Sequence, residues 1–527
     1  MHRNSILISL VLILGLTIIP VSGARADTYI TNGRIASSAD FNPSDDYKVV
    51  QTRPEGGSRL LDYSNGYSVD YPGDMWVDAT ISAVRVTLAN NDTRVEIYYD
   101  NFYDTISNTS DYIGYSNLFL NNRDVYAKEL DTYIKVNGLR THLLQWSRDP
   151  LSTVPGDRCN YLSAEIVKNS YEVYTILVKT SGDPAQYLPL IKSFKLIERQ
   201  GTPGINTCYT QTDRVSRLNA ETQAFYKDYF SSSATLKWGI YEYSVGDNLN
   251  LVKSLEQQLG SPFHVLVWYK SLGTPLPRDI LDRAYQDKKY VELTFHTEVA
   301  GADNRSVMYD ILNGQYDEYF TTYARGLKDF GHPVLFRLDN EMNGDWCSWS
   351  SWRSSKDTEI FKAVWRHIYK VFETNGVDNV LWVWNPNDIS FPGFKWNHHL
   401  TYFPGVQYVD IVGMTGYNTG THFSGEYWRT FDSIYQPLYS EYSQVYGYPY
   451  MITEFACSSI GGDKEAWIND MFNQVKQYPN IKVANWFNGI DFDSAGQPGR
   501  IYRLDEDPTY IAAFGQGMSG SPDRAAK

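Results

Sequence analysis

The sequence predicts a (β/α)8 barrel preceded by a smaller α+β domain with a mostly antiparallel sheet. Three observations carry that reading. Eight short runs rich in β-branched and aromatic residues begin near Thr235, Phe263, Tyr290, Pro333, Val380, Tyr408, Pro449 and Lys482. Their spacing is about 35 residues, the size of one βαβ unit. Twelve of the fourteen tryptophans lie between Trp238 and Trp486, so the two halves differ in composition. Between them, Glu198 to Asp213 is polar and rich in Gly, Thr and Gln, which suits a linker. The 527 residues are enough for two domains, because a barrel alone takes roughly 250.

The elements follow in chain order. Residues 1–26 start with His2 and Arg3, continue with an apolar stretch from Ile6 to Val21 and end in Ala24-Arg25-Ala26. This pattern predicts a secretory signal peptide cleaved before Asp27, hence a secreted, extracellular chain. The stretch is only 16 residues long and interrupted by Pro20, against the roughly 20 that a membrane span needs, so no span is expected after cleavage. Export allows disulfides, and Cys159, Cys208, Cys347 and Cys457 have three pairings among which the sequence does not choose. No C-x-x-C or H-E-x-x-H motif supports a zinc site.

Residues 27–200 form the first module. Val84, Val86 and Leu88 alternate with Arg85 and Thr87, and Val95, Ile97 and Tyr99 alternate with Arg94 and Glu96, which predicts half-buried strands. A strand at Tyr171–Lys179 is followed by a short helix near Pro184–Ile191. The segments Asn65–Pro72 and Ile191–Lys195 resemble the opening and closing strands of exported modules similar to photosystem PsbP proteins. No clustered His, Asp or Glu pattern suggests chemistry here. The expectation is a docking or spacing domain, with a cell-envelope partner as one role.

Residues 201–219 are the linker, 220–515 the barrel and 516–527 a Gly/Ser-rich tail expected to fray. Within the barrel, Ile360, Val364, Ile368 and Phe372 recur at helical spacing before Asn375-Gly376. Asp463 caps a second helix on which Trp467, Met471 and Val475 share a face. Trp365 and Trp467 fall on helix core faces, whereas Trp268, Trp382 and Trp384 fit either barrel filling or cleft wall. The rival fold, an open doubly wound sheet, wants a Gly-rich phosphate turn after its first strand, which Trp238-Gly239-Ile240-Tyr241 lacks.

Charge narrows the function. Lys plus Arg number 47 against 61 Asp plus Glu, a net −14 that becomes −16 once Arg3 and Arg25 leave with the leader. That sign excludes a nucleic-acid binder and disfavours polyanionic substrates. Chemistry in a barrel of this type sits at the C-terminal strand ends. The fourth ends in Arg337-Leu338-Asp339-Asn340-Glu341 and the seventh in Ile452-Thr453-Glu454. A carboxyl pair flanking a bond is what glycoside hydrolysis requires, and it needs neither metal nor nucleotide, so no cofactor is implied.

The flanking residues carry a family resemblance. Gly331–Arg337 leads into Asn340-Glu341-Met342-Asn343-Gly344-Asp345-Trp346 and then Trp349, which resembles the acid/base motif of glycoside hydrolase family 26, the β-mannanase family. Val380–Asn387 is similar to its fifth strand, Tyr402–Gly405 with Val409–Tyr417 to its sixth, and Pro449–Phe455 to its nucleophile strand. The resemblance covers roughly residues 230–490. It implies a retaining mechanism with Glu341 as acid/base and Glu454 as nucleophile. It further implies that Tyr417 hydrogen-bonds the nucleophile and that His296 lies near the bound sugar. Arg337 suits holding carboxylates by charge-assisted bonds, and Trp346 and Trp486 suit sugar platforms. Met342, Trp346 and Trp349 are candidates for the apolar surround that keeps an acid protonated.

Two departures bear on substrate. Most of the family has His before the acid/base where this chain has Asn340, the residue that the wider clan uses to hydrogen-bond the sugar 2-hydroxyl. After Trp346 the run is Cys347-Ser348-Trp349-Ser350 in place of further aromatics and Gly. The expectation is a secreted endo-acting β-glycanase on a neutral polysaccharide, β-1,4-mannan first. The alternatives are a β-glucanase, a β-1,3-xylanase, an exopolysaccharide hydrolase or a non-catalytic polysaccharide-binding barrel.

Overall fold

The computed structural model describes residues 27–37 and 42–520. The expected leader and the last seven residues of the expected tail lie outside these. Among the described residues no helix is long and apolar enough to cross a membrane.

The first module contains two antiparallel sheets. One has six strands, in the order 195–196, 67–71, 58–62, 47–52, 28–31, 34–36; the other has seven, in the order 76–78, 86–89, 93–101, 172–180, 160–167, 139–148, 126–136. On one face of the seven-stranded sheet Val95, Ile97, Leu162, Ile166, Ile176 and Val178 bury Leu60 and Val69 of the smaller sheet and Ile191 of the helix Leu188–Ser193. The alternation in sequence would leave Arg85, Thr87 and Glu96 facing water. They are instead 6%, 2% and 0% exposed. The second face lies against the barrel: Tyr98, Trp146, Tyr161 and Leu177 belong to the barrel's own apolar cluster. A period of two says which residues share a face; it does not say what covers that face.

The charges on this covered face are paired. Glu96 meets Arg85 at 2.7 Å and Lys179 at 2.8 Å, and Lys179 reaches Asp357 of the barrel at 2.7 Å. Lys356 of the barrel donates to Glu165 at 3.1 Å and to Asn117 at 2.7 Å. Trp146 donates its indole N–H to Ser355 at 3.1 Å. Ser355 and Lys356 both have left-handed backbone, with φ of 62° and 55°, so the module clamps a stretch of barrel loop in a conformation that costs an L-residue about 1 kcal/mol or more.

Eight parallel strands close the barrel: Lys237–Tyr241, Val265–Leu272, Tyr290–Val299, Val334–Leu338, Val380–Trp384, Ile411–Thr415, Tyr450–Phe455 and Ile481–Phe487. Strands four to seven are buried throughout, which explains their near-continuous apolar runs. The last strand pairs with the first, Gly239 opposite Asn485. A Cβ at Gly239 would sit 1.9 Å from Asn485 Oδ1, so glycine is needed where the interior amide crosses. The helix Thr358–Thr374 buries Ile360, Val364, Trp365, Ile368 and Phe372, and Asp463 caps Lys464–Gln474 by accepting from Ala466 N at 2.9 Å.

The linker hugs the barrel. Tyr209–Thr210 pairs with Tyr446–Gly447, and Arg214 holds Asp410 and the Val380 carbonyl. The expected frayed tail is partly a helix, Pro508–Ser519. Its glycines serve close approach: a Cβ on Gly515 would meet Leu259 O at 2.8 Å, and one on Gly517 the Phe472 ring at 2.1 Å. All four cysteines are free, Cys208 exposed and the other three buried.

Candidate active site

The end of the fourth strand turns sharply. Asp339 and Glu341 have φ of 46° and 54°, conformations that cost of order 1–3 kcal/mol each. Hydrogen bonds to both neighbouring strands hold the turn. Asp339 N donates to Phe295 O at 2.9 Å, and the Asp339 carboxyl accepts from Thr297 N and Oγ1, each at 2.8 Å. Glu341 N donates to Asn385 O at 2.8 Å. Burial pushes the Asp339 carboxyl up to about 8.

Arg337, fully buried in the fourth strand two residues before Asp339, organises the floor. Its guanidinium donates to Glu292 at 2.6 Å, Thr294 Oγ1 at 2.8 Å, Asn385 Oδ1 at 3.0 Å and Tyr269 Oη at 3.2 Å. It also faces Glu454, 3.3 Å from Oε1 and 3.4 Å from Oε2. Burial pushes Glu292 up to about 7 in spite of that cation. Glu454 accepts further from the Tyr269 hydroxyl and from Asn340 Nδ2 at 3.4 Å. A carboxylate surrounded by a guanidinium, a phenol and an amide is held in place by charge-assisted bonds.

Glu341 has a different surround. Met342, next to it in sequence, and Trp349 are buried, 0% and 4% exposed. Its carboxyl is pushed up to about 8, chiefly by loss of hydration and next by the charge of Glu454, with Arg337 opposing both. Trp349 donates its indole N–H to Asn340 O at 2.8 Å and lies 4.7 Å from the His296 ring. His296 Nε2 is 2.9 Å from Asn340 Oδ1. Burial lowers the His296 pKa, so the imidazole is neutral, and a donating Nε2–H aims the Asn340 amide nitrogen at Glu454.

Both glutamates line one cleft of about 870 Å³, with His296, Asn340, Trp346 and Tyr417. Arg337 lies beneath it. Trp346 is 52% exposed on the rim, its ring 6.3 Å from that of Phe391, which is 54% exposed. The opposite wall is Tyr241 stacked on Phe487 at 4.5 Å.

Two expected roles are corrected. Tyr417 packs on Tyr502 and Phe487, and the hydroxyl on Glu454 belongs to Tyr269. Trp486 is no platform: it is fully buried outside the barrel against Phe455, Trp467 and Phe514, its N–H on Tyr502 O at 3.0 Å. Its neighbour Phe487 faces the cleft, because successive strand side chains point to opposite sides. Tyr269, Phe391 and Phe487 escaped the sequence reading. For Tyr269, its place near the C-terminal end of strand two was the available signal. Trp382 and Trp384 fill the core.

Among the described residues, His398, His399 and Glu441 bring possible metal-ligand atoms within 4.8 Å of one another. Glu441 is already hydrogen-bonded to His399 at 2.9 Å, and none of the three lines the cleft.

Parts of the chain are similar to known proteins. Residues 287–447 match the model of glycosyl hydrolase family 26, a span that includes Glu341 and stops short of Glu454. Endoglucanase H of Acetivibrio thermocellus is 34% identical over 209 residues, 39% of this chain and 22% of that protein. A mannan endo-1,4-beta-mannosidase of Bacillus subtilis is 40% identical over 98 residues, 18% of this chain and 26% of that protein. The matches thus span about a quarter of the length of these relatives. The catalytic domain of the Bacillus sp. JAMB-750 GH26 endo-beta-1,4-mannanase is similar over 59% of this chain and 92% of that one, with a TM-score of 0.46 and 19% identity.

Proposed function

We propose that the protein is a glycosyl hydrolase of family 26, an endo-acting retaining β-glycanase with β-1,4-mannan as its first substrate; the family-model match over residues 287–447 and the similarity to a mannan endo-1,4-beta-mannosidase support this. The observation that carries the reading is the contrast between the two glutamates: Glu341 raised to about 8, Glu454 ringed by Arg337, Tyr269 and Asn340. Near neutral pH Glu341 keeps a proton and passes it to the glycosidic oxygen as that bond breaks. The Glu454 carboxylate attacks the anomeric carbon and forms a glycosyl ester. Water then enters, Glu341 takes its proton, and the sugar leaves with its configuration retained. Asn340, fixed by His296, is placed to hydrogen-bond the sugar hydroxyl beside the reacting carbon.

A second substrate, β-glucan, is favoured by Asn340 itself and by the 209-residue similarity to Endoglucanase H. Export belongs to the proposal, supported by the charged and then apolar leader. The test incubates the chain with galactomannan, glucomannan, lichenan, β-1,3-xylan and a bacterial exopolysaccharide, and measures reducing ends beside Glu341→Ala and Glu454→Ala. Release from mannan that both variants lose supports the reading. Release from another polymer keeps the mechanism and moves the specificity. Tight binding without release by any chain overturns the catalytic roles.

A further inference from the structure

A second groove, of about 450 Å³, opens beside the catalytic cleft, and Trp346 lines both. Its walls come from two domains. The module contributes Leu118 and Asn121 from the turn Leu118–Asn121; the barrel contributes Glu298, Arg305 and Trp352. Leu118 is 42% exposed, and Asn121 is exposed with its backbone carbonyl taken by Arg123 N.

The module wall is anchored directly to the loop that carries Trp346. Tyr115 hydrogen-bonds Asp345, its carbonyl accepts the Trp352 indole N–H at 3.0 Å, and its ring stacks on Trp352 at 5.2 Å. Ser116 accepts from the Trp396 indole at 3.1 Å. The groove therefore exists before any ligand arrives, which lowers the ordering cost of binding. Its chemistry suits an uncharged sugar: indole and leucine surfaces for the C–H face of a pyranose, amide, carboxylate and guanidinium groups for hydroxyls.

We propose that the first module supplies a distal subsite for the same glycan that is cut between Glu341 and Glu454, the chain leaving the cleft across Trp346 and lying between Leu118–Asn121 and the barrel. The inference rests on the functional reading above, and it assigns the module a part in gripping substrate that the barrel half alone lacks.

The test compares the full chain with the double variant Leu118→Ala/Asn121→Ala, both surface positions, and with Asn121→Trp, which fills the groove. The readout is the ratio of kcat/KM on a long to that on a short oligosaccharide, mannohexaose against mannotriose and cellohexaose against cellotriose. The expected result is that both variants lower this ratio about tenfold on whichever series the wild type cuts. An unchanged ratio, or an equal loss on both lengths, overturns the inference while leaving the glycanase standing. A wild type that cuts neither series nor any polymer overturns the functional reading and the subsite with it.

Discussion

Two of the places where the molecule buries charge behave in opposite ways. At the face between module and barrel each carboxylate named above meets a cation of matching position: Glu165, for example, is drawn down to about 2 because Lys356 and His142 outweigh the effect of burial. At the barrel centre one guanidinium, Arg337, faces Glu292 and Glu454 at contact distance with Glu341 nearby, and two of those carboxyls are pushed up, to about 7 and about 8. Burial beside charge therefore does not by itself push a carboxyl up. A shortage of positive charge beside an open cleft does, and it leaves a carboxyl able to hold and release a proton near neutral pH.

The strongest way to break this contrast is at Glu454. Glu454→Ala should lower turnover at least about 10⁴-fold without loss of folding. In the same variant the Glu341 carboxyl should titrate below its value in the wild type, because the repulsive charge is gone. Activity assays and carbon-detected NMR titration of the glutamates measure the two effects; an unmoved Glu341 would mean that burial alone sets its pKa.

At the interdomain face, Lys179→Met leaves buried Asp357 without a cation, while Glu96 keeps Arg85 and Arg94. The expected loss is about 3–5 kcal/mol of stability in chemical denaturation. Activity per folded molecule should stay near the wild-type level, the reverse of what Glu454→Ala does.

Asp100 sharpens the comparison, being a buried carboxyl at this same face with no cation in contact. It accepts only from Lys395 N, at 2.8 Å, its second oxygen has no partner, and burial pushes it up to about 7. The folded state thus binds the proton more tightly than the unfolded chain, whose aspartates titrate near 4. Asp100 accordingly contributes stability below about pH 4 that is lost as the pH rises to about 7. Asp100→Asn should remove that slope, with a gain over wild type of about 2–4 kcal/mol at pH 8 and none at pH 4, seen by denaturation at both pH values. A pH-independent difference would refute the assignment.

The smallest expected effect is the alkaline limb of the proposed activity. As Glu341 loses its proton above about pH 8, kcat/KM should fall tenfold per pH unit.

The barrel was legible from the sequence because each of its strands is a short run buried on both sides, and such runs announce themselves locally. Glu341 and Glu454 were legible for a related reason: strand-end position and flanking motif lie within a few residues of each. What the sequence by itself determined, then, is the order of elements, the two carboxyls and the residues sharing each strand face. Tertiary structure decided the direction of those faces and their partners. It turned Phe487 into the cleft and Trp486 out of it, brought Tyr269 to Glu454 across 185 positions, and laid the barrel over Glu96 and Lys179. The physical reason is that alternation in a strand is symmetric between inside and outside. Only the closing of the barrel and the docking of the module break that symmetry, and both are made by contacts between residues far apart in the chain.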